Sequence, residues 1–234
     1  MGSSKAIAIV SGGMDSVTLV HHLHALGHEV VVASFDYGQR HKKELEFAKA
    51  VADRFDLNHH LIDLSNITKL IATSALTSDS IEVPDGHYAE QTMRQTVVPN
   101  RNAIMLNVAA GLAIQVEAQH IATGVHAGDH YIYPDCRPQF ISSLETMLKI
   151  ANEGFIDPEF SILAPFVNST KGEIARRGDE LNVPWEKTWS CYKGGEIHCG
   201  SCGTCFERRE AFAEFNLHDP TEYLATPDYE DPRQ

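Results

Sequence analysis

The hydrophobic and polar positions fall into blocks whose period changes along the chain. Ala6 to Val10 is a short unbroken apolar run with β-branched residues, the pattern of a buried strand. From Met14 the apolar positions Val17, Leu19, Val20, Leu23 and Leu26 recur at helical spacing and stop at Gly27. Val30 to Phe35 predicts a second strand, Lys42 to Phe55 a second helix and His60 to Leu64 a third strand. Further on, Arg101 to Val116 predicts a long helix, His120 to Thr123 a strand, Pro138 to Asn152 a helix and Ser161 to Ala164 a strand. Thr170 and Glu173 have capping-box spacing and open a helix to about Leu181; a last helix is expected from Phe206 to Phe215. Strands alternating with helices imply right-handed βαβ units. The expected fold is therefore α/β: a Rossmann-like parallel five-stranded sheet with helices on both faces.

One stretch breaks this rhythm. Residues 73–96 are rich in Ser, Thr and Asp and lack a clear period. A loop of that length is a lid, a binding loop or disordered, and we expect a lid or mobile loop. The chain then divides into an α/β domain over 1–184, a small helical metal-binding segment over 185–218 and a tail over 219–234. The tail holds three prolines and is expected to trail along the surface.

Composition narrows the function. Of 234 residues 43% are apolar, enough for a full core, and the 22% that are charged form no long run, so general disorder is excluded. The net charge of −13 lacks the basic surplus of a protein that grips a phosphate backbone. Small-molecule substrates are favoured, with no tight nucleic-acid binding. No leader pattern is evident, and no apolar run approaches the ~20 residues of a membrane helix. We expect a cytoplasmic protein with no membrane partner.

The stretch Val10-Ser11-Gly12-Gly13-Met14-Asp15-Ser16 lies between the first strand and first helix. Glycines let the backbone turn sharply and approach a ligand, and the free N–H groups of a helix start favour an anion. Ser11 and Ser16 add hydroxyl donors. The plain alternative is an ordinary strand–helix turn. There is no Gly-Lys-Ser/Thr ending and no Gly-x-Gly-x-x-Gly, so neither a Walker loop nor the dinucleotide fingerprint fits. The loop resembles that of the pyrophosphatase-loop (HUP-type) family. That resemblance implies ATP cleavage between the α- and β-phosphates, pyrophosphate held in the loop, and Asp15 placing Mg2+. Phe35 and Gly124, at the ends of the second and fourth strands, are the further expected ATP contacts.

Five cysteines are present, four close together. Cys199, Cys202 and Cys205 have the spacing of a metal knuckle, and Cys191 supplies a fourth thiolate. Four sulfurs suit tetrahedral structural Zn2+; an iron–sulfur cluster and a redox Cys-x-x-Cys pair are the alternatives. Cys136 stands alone and reads as a packed thiol before a nucleophile.

Further motifs keep a fixed order: Phe35-Asp36-Tyr37-Gly38-Gln39-Arg40-His41 with Glu44, then Pro99-Asn100-Arg101-Asn102, then Thr123-Gly124-Val125-His126 with Asp129. Tyr133-Pro134-Asp135-Cys136-Arg137-Pro138 and Thr188-Trp189-Ser190-Cys191-Tyr192 follow. From about Lys5 to Phe212 they resemble the 7-cyano-7-deazaguanine synthase family of queuosine biosynthesis. The resemblance implies conversion of 7-carboxy-7-deazaguanine, ammonia and ATP into the nitrile, with zinc on the four cysteines. A carboxylate is a poor electrophile because oxide would have to leave; adenylation makes AMP the leaving group. Two anions must then meet, which calls for cations and oriented donors. Asp15, Arg101, Arg137 and Lys171 are the candidate catalytic residues. Tyr37, Gln39, Arg40, His41, Asp129, Asp135 and Arg137 are the candidate substrate contacts, with Asp135 or Asp129 on the guanine edge and Arg137 on the carboxylate. His21, His22, His59 and His60 are assigned to surface or packing. The chain leaves no room for a glutaminase domain, so free ammonia or a separate partner is expected, and a homodimer is plausible for a compact enzyme of this kind.

Two other functions fit less well. A tRNA thiolase or lysidine synthetase of the same superfamily is disfavoured by the charge, and a non-catalytic nucleotide-binding module would not need the Gln-Arg-His and Asp-Cys-Arg clusters.

Overall fold

A computed structural model describes residues 3–68, 74–77, 81–86 and 94–226. Five strands, β1 (Lys5–Ile9), β2 (Glu29–Asp36), β3 (His59–Asp63), β4 (His120–Ala122) and β5 (Ser161–Leu163), form one sheet in the order β3-β2-β1-β4-β5. All four pairings are parallel. The helices are α1 (Met14–Ala25), α2 (Lys43–Arg54), the single turn α3 (Ser65–Thr68), α4 (Arg101–Gln115), α5 (Pro138–Ala151), α6 (Lys171–Glu180) and α7 (Gly203–Glu214).

Both faces of the sheet are covered, because the strands are apolar on both sides. Ile7, Val31 and Ile121 pack with Leu106, Ala109 and Ala113 of α4 and Leu144 and Leu148 of α5. Ala6, Ala8 and Val32 pack on the other side with α1, α2, α6 and α7. A third, small cluster joins Trp189 and the buried cysteines to Ala75 and Val83. The chain runs from β1 outward to β3, then crosses back to β4 on the other side of β1. Strand order thus reverses between β1 and β4, and ligands of such sheets bind outside the carboxyl ends at that point.

The expected capping box is present: Thr170 Oγ1 accepts from the Glu173 N–H at 3.1 Å and Glu173 returns the bond to the Thr170 N–H at 2.9 Å. Two expectations change. α7 starts at Gly203, three residues before the predicted Phe206, with Cys205 inside its first turn. Residues 219–225 do not trail. Asp219 pairs with the buried Arg208, Leu224 N–H donates to His198 O at 2.8 Å, and Ala225 N–H donates to Cys199 O at 3.2 Å. Much of 73–96 lies outside the described residues. Its described parts pair with each other, Ala75 N–H donating to Gln95 O, and with the body, Arg40 N–H donating to Leu76 O and Gly86 N–H to Ser201 O.

Candidate active site

The phosphate loop is built around Ser16. Its Oγ accepts from the N–H groups of Ser11 and Gly12, both at 3.2 Å, and donates to Gly13 O at 3.1 Å. Gly12 sits at φ +89°, and a Cβ there would fall 2.1 Å from Glu44 O, so only glycine lets the loop lie on α2. Gly13 caps α1 without any side-chain hydrogen bond. The first N–H groups of α1 therefore face the cleft unsatisfied by side chains, an anion site at the positive end of a helix. Ser11, Gly13, Met14, Asp15 and Ser16 line this cleft, with Gly124 beyond them.

Lys171 is the first residue of α6, where a helix dipole disfavours a cation. Carboxylates offset this: its Nζ lies 2.6 Å from Asp15 Oδ2 and 3.4 Å from Glu207 Oε2. Burial opposes its charge, yet Asp15, Glu207 and Asp129 together hold the ammonium group well above the usual lysine range. Burial pushes Asp129 up to about 6, with Lys171 acting against it. His126 Nε2 stands 3.4 Å from Asp129 Oδ2 and 3.4 Å from Lys171 Nζ. His126 Nδ1 accepts from the Gly128 N–H at 3.1 Å, which puts the neutral ring's proton on Nε2. His126, Asp129 and Glu207 have the proximity of a metal triad, but Nε2 carries a proton and Lys171 already supplies the cation. Asp15 Oδ1 is buried with no hydrogen-bond partner among the described residues, an open carboxylate oxygen at the phosphate end of the cleft.

Arg101 supplies the second cation. Asn100, in the left-handed region at φ 62°, turns the chain so that Arg101 opens α4. Asp135 Oδ2 accepts the Asn102 N–H at 3.2 Å and so caps this helix from outside. The Arg101 guanidinium lies over the Tyr37 ring at 5.6 Å and donates to its hydroxyl at 3.4 Å. Burial pushes the Tyr37 phenol up to about 12, so the hydroxyl stays neutral. Met105, Val125, Cys136 and Tyr192 give this half of the cleft apolar walls.

The structure gathers Asp15, Arg101, Lys171, Tyr37, His41 and Asp129 around one cleft. Other expected contacts stand elsewhere. Arg137 is exposed, its Nε donating to His130 O at 2.7 Å. Asp135 is engaged by α4, leaving Cys136 as the residue of that trio on the cleft wall. Arg40 turns to Ile81 O at 3.2 Å. Gln39 is buried and ties the Tyr37 N–H to Glu44, shaping the loop from behind. Phe35 packs in the core, and Val10 follows β1 with its carbonyl accepting from Ser34 Oγ. Glu207 and Thr204 line the cleft although neither was singled out from the sequence.

The four cysteine sulfurs lie within 4.8 Å of one another, with Sγ pairs at 3.5 and 3.9 Å. Tetrahedral zinc with Zn–S bonds near 2.3 Å needs sulfurs about 3.8 Å apart, so the set fits that ion. Backbone N–H groups of Cys199 and Cys202 point at Cys191 Sγ and Cys199 Sγ, as thiolates require.

The profile of a family described as "Queuosine biosynthesis protein QueC" matches residues 5–216. The chain belongs to the QueC family. Relatives from Brucella ovis and Brucella suis, both called 7-cyano-7-deazaguanine synthase, are 54% identical over 220 residues, 94% of this chain and 93% of theirs. Among solved structures, a 4-thiouridine synthetase in complex with RNA and bound ATP superposes with a TM-score of 0.53 at 15% identity. That match covers 97% of this chain and 47% of the other, a likeness of fold alone. The QueC match begins with β1 and extends past α7, so it takes in both the phosphate loop and the cysteine knuckle.

Proposed function

We propose that the chain is an ATP-dependent carbon–nitrogen ligase that converts 7-carboxy-7-deazaguanine and ammonia into 7-cyano-7-deazaguanine. One observation carries the reading: in a chain of net charge −13, two cations, Lys171 and Arg101, point into a single cleft beside a glycine-built anion site. The same family membership disfavours the thiolase and sensor alternatives.

The acid's carboxylate oxygen attacks the α-phosphorus of ATP, and pyrophosphate departs into the Ser11–Ser16 loop. Ammonia adds to the acyl carbon, AMP leaves with the carbon–oxygen bond electrons, and a proton is lost to give the amide. The amide oxygen then attacks a second ATP. Loss of the second AMP and the remaining N–H protons yields the nitrile. In this scheme Lys171 steadies charge on the transferring phosphate and Arg101 holds the acid's carboxylate against Tyr37. Asp129, beside His126 Nε2, faces the guanine-type edge. Asp15, through its open Oδ1, is the residue that would hold Mg2+, which supplies charge neutralisation on the phosphates. Zn2+ on Cys191, Cys199, Cys202 and Cys205 would supply folding energy to the knuckle.

Ammonia enters free or from a separate partner. Nucleic-acid binding is weak, and the protein works as a cytoplasmic homodimer. Among the described residues no helix is long and apolar enough to cross a membrane. ATP–pyrophosphate exchange tests the reading. Exchange stimulated by the deazapurine acid is expected; exchange stimulated only by tRNA, or by nothing, would replace it with one of the two alternatives.

A further inference from the structure

We propose that Arg208, which touches neither ATP nor acid in this scheme, is a positioning residue that sets the phosphate loop for pyrophosphate through Trp189. The inference rests on the loop being the pyrophosphate site.

Arg208 is fully buried, and its fork joins three pieces of chain. Nε and Nη2 donate to Asp219 at 3.1–3.3 Å, Nη2 to Trp185 O at 3.2 Å, and Nη1 to Thr188 Oγ1 at 2.7 Å and Ser190 Oγ at 3.4 Å. Asp219 is itself fixed by the Tyr223 hydroxyl at 2.6 Å and the Thr221 N–H at 3.1 Å. Burial works against its ionisation, but Arg208 and these donors hold the carboxyl below the usual range. A buried pair of this kind contributes little net stability relative to apolar packing. What it contributes is register, because a planar five-donor fork is satisfied only when all its acceptors stand in place.

The register being set is that of the strap from Trp185 to Ser190. At its tip, Trp189 N–H donates to Gly12 O at 2.9 Å. The Trp189 ring is clamped from the knuckle side by Nε1 donation to Cys191 O at 2.9 Å and by His198 at 4.2 Å. In a trans peptide the carbonyl and the N–H point in opposite directions, and no peptide bond among the described residues is cis. Holding the Gly12 carbonyl toward the strap turns the Gly13 N–H the other way, where it donates to Ser11 Oγ at 3.3 Å on the cleft that both residues line. Two adjacent glycines flip their shared peptide at low cost, and a flipped peptide would present a carbonyl to the anion. Trp189 therefore selects the donor-out state, and Arg208 holds Trp189 where it can do so.

The test uses the full-length, zinc-replete protein and inorganic pyrophosphate with Mg2+. Arg208→Lys keeps the charge but loses the fork. It is expected to weaken pyrophosphate binding about tenfold, the loss of one charge-assisted hydrogen bond, while zinc content and the KM for the deazapurine acid stay unchanged. Tyr223→Phe loosens the same fork through Asp219 without touching the charge pair and should shift pyrophosphate affinity in the same direction, less strongly. Should Arg208→Lys fail to fold, this variant carries the test. Folded, zinc-replete variants that bind pyrophosphate as tightly as the wild type would overturn the proposal, as would loss of zinc and pyrophosphate affinity together. Absence of pyrophosphate binding in the wild type would instead overturn the loop reading beneath it.

Discussion

Lys171 and Asp15, 156 positions apart in the chain, meet with Nζ 2.6 Å from Oδ2. The contact ties the first turn of α6 to the first turn of α1, so one cation serves both the phosphate loop and the carboxylates behind it. Replacing Lys171 by Met removes a fixed charge from a partly desolvated site. We expect kcat to fall at least about 100-fold, the usual worth of one preorganised electrostatic donor. Steady-state kinetics with ATP saturating measures it; a loss confined to KM would move Lys171 from the transition state to ground-state binding.

Arg101 and Arg137 separate by the same logic. Arg101 is packed on Tyr37 inside the cleft, whereas Arg137 is exposed and bonded to His130 O. Arg101→Lys should reduce turnover of the acid by about 10–100-fold, because an ammonium group cannot reproduce a stacked, forked contact. Arg137→Lys should stay within about twofold of wild type. Comparing the acid and the amide as substrates for both variants checks the assignment, and a dead Arg137→Lys would return that residue to the site.

The loop and knuckle were legible in the sequence because their chemistry demands particular residues at fixed spacing: a glycine at position 12, where a Cβ would strike α2, and four sulfurs around one point. The acid pocket was less legible. Along the chain, Asp135, Cys136 and Arg137 all follow β4, but the 3-10 turn Pro134–Cys136 sends the three side chains in different directions. Only Cys136 reaches the cleft wall. Glu207 was hidden by the helix boundary. With α7 starting at Gly203, Thr204 and Glu207 stand three residues apart on one helix face, and that face lines the cleft. A Thr-x-x-Glu pair straddling the last cysteine, Cys205, was the available signal. The helix expected to start at Phe206 did not bring these two residues onto one face.

Asp129 should trade stability for function. Burial pushes its carboxyl up to about 6 in the fold against 3.8 ordinarily, so the folded protein holds that proton more tightly than the unfolded chain. Above about 6 both states are ionised and the fold carries the full cost; as pH falls toward 3.8 the cost disappears. Asp129→Asn removes a half-buried charge while Lys171 keeps Asp15 and Glu207. We expect it to raise the melting temperature by about 2–4 °C in mildly alkaline buffer, with the gain shrinking below pH 6, and to reduce synthesis of the nitrile. Melting curves across pH decide it; a gain that grows on acidification would contradict the sign.

The knuckle should carry one zinc per chain. Cys202→Ser is expected to release the metal and to destabilise the protein well beyond the ~1 kcal/mol of an ordinary substitution, since ligation and folding are coupled. Elemental analysis with thermal melts measures both, and iron with visible absorption would contradict zinc.

The central claim is that two oxygens of the same carbon are adenylated in turn at one cleft. Acid labelled with heavy oxygen in both carboxylate positions tests this most directly, with mass spectrometry of the products. The account predicts two AMP molecules per nitrile, each carrying one labelled oxygen on its phosphate, and two unlabelled pyrophosphates. Label found in inorganic phosphate or in water, with ADP as the nucleotide product, would contradict it.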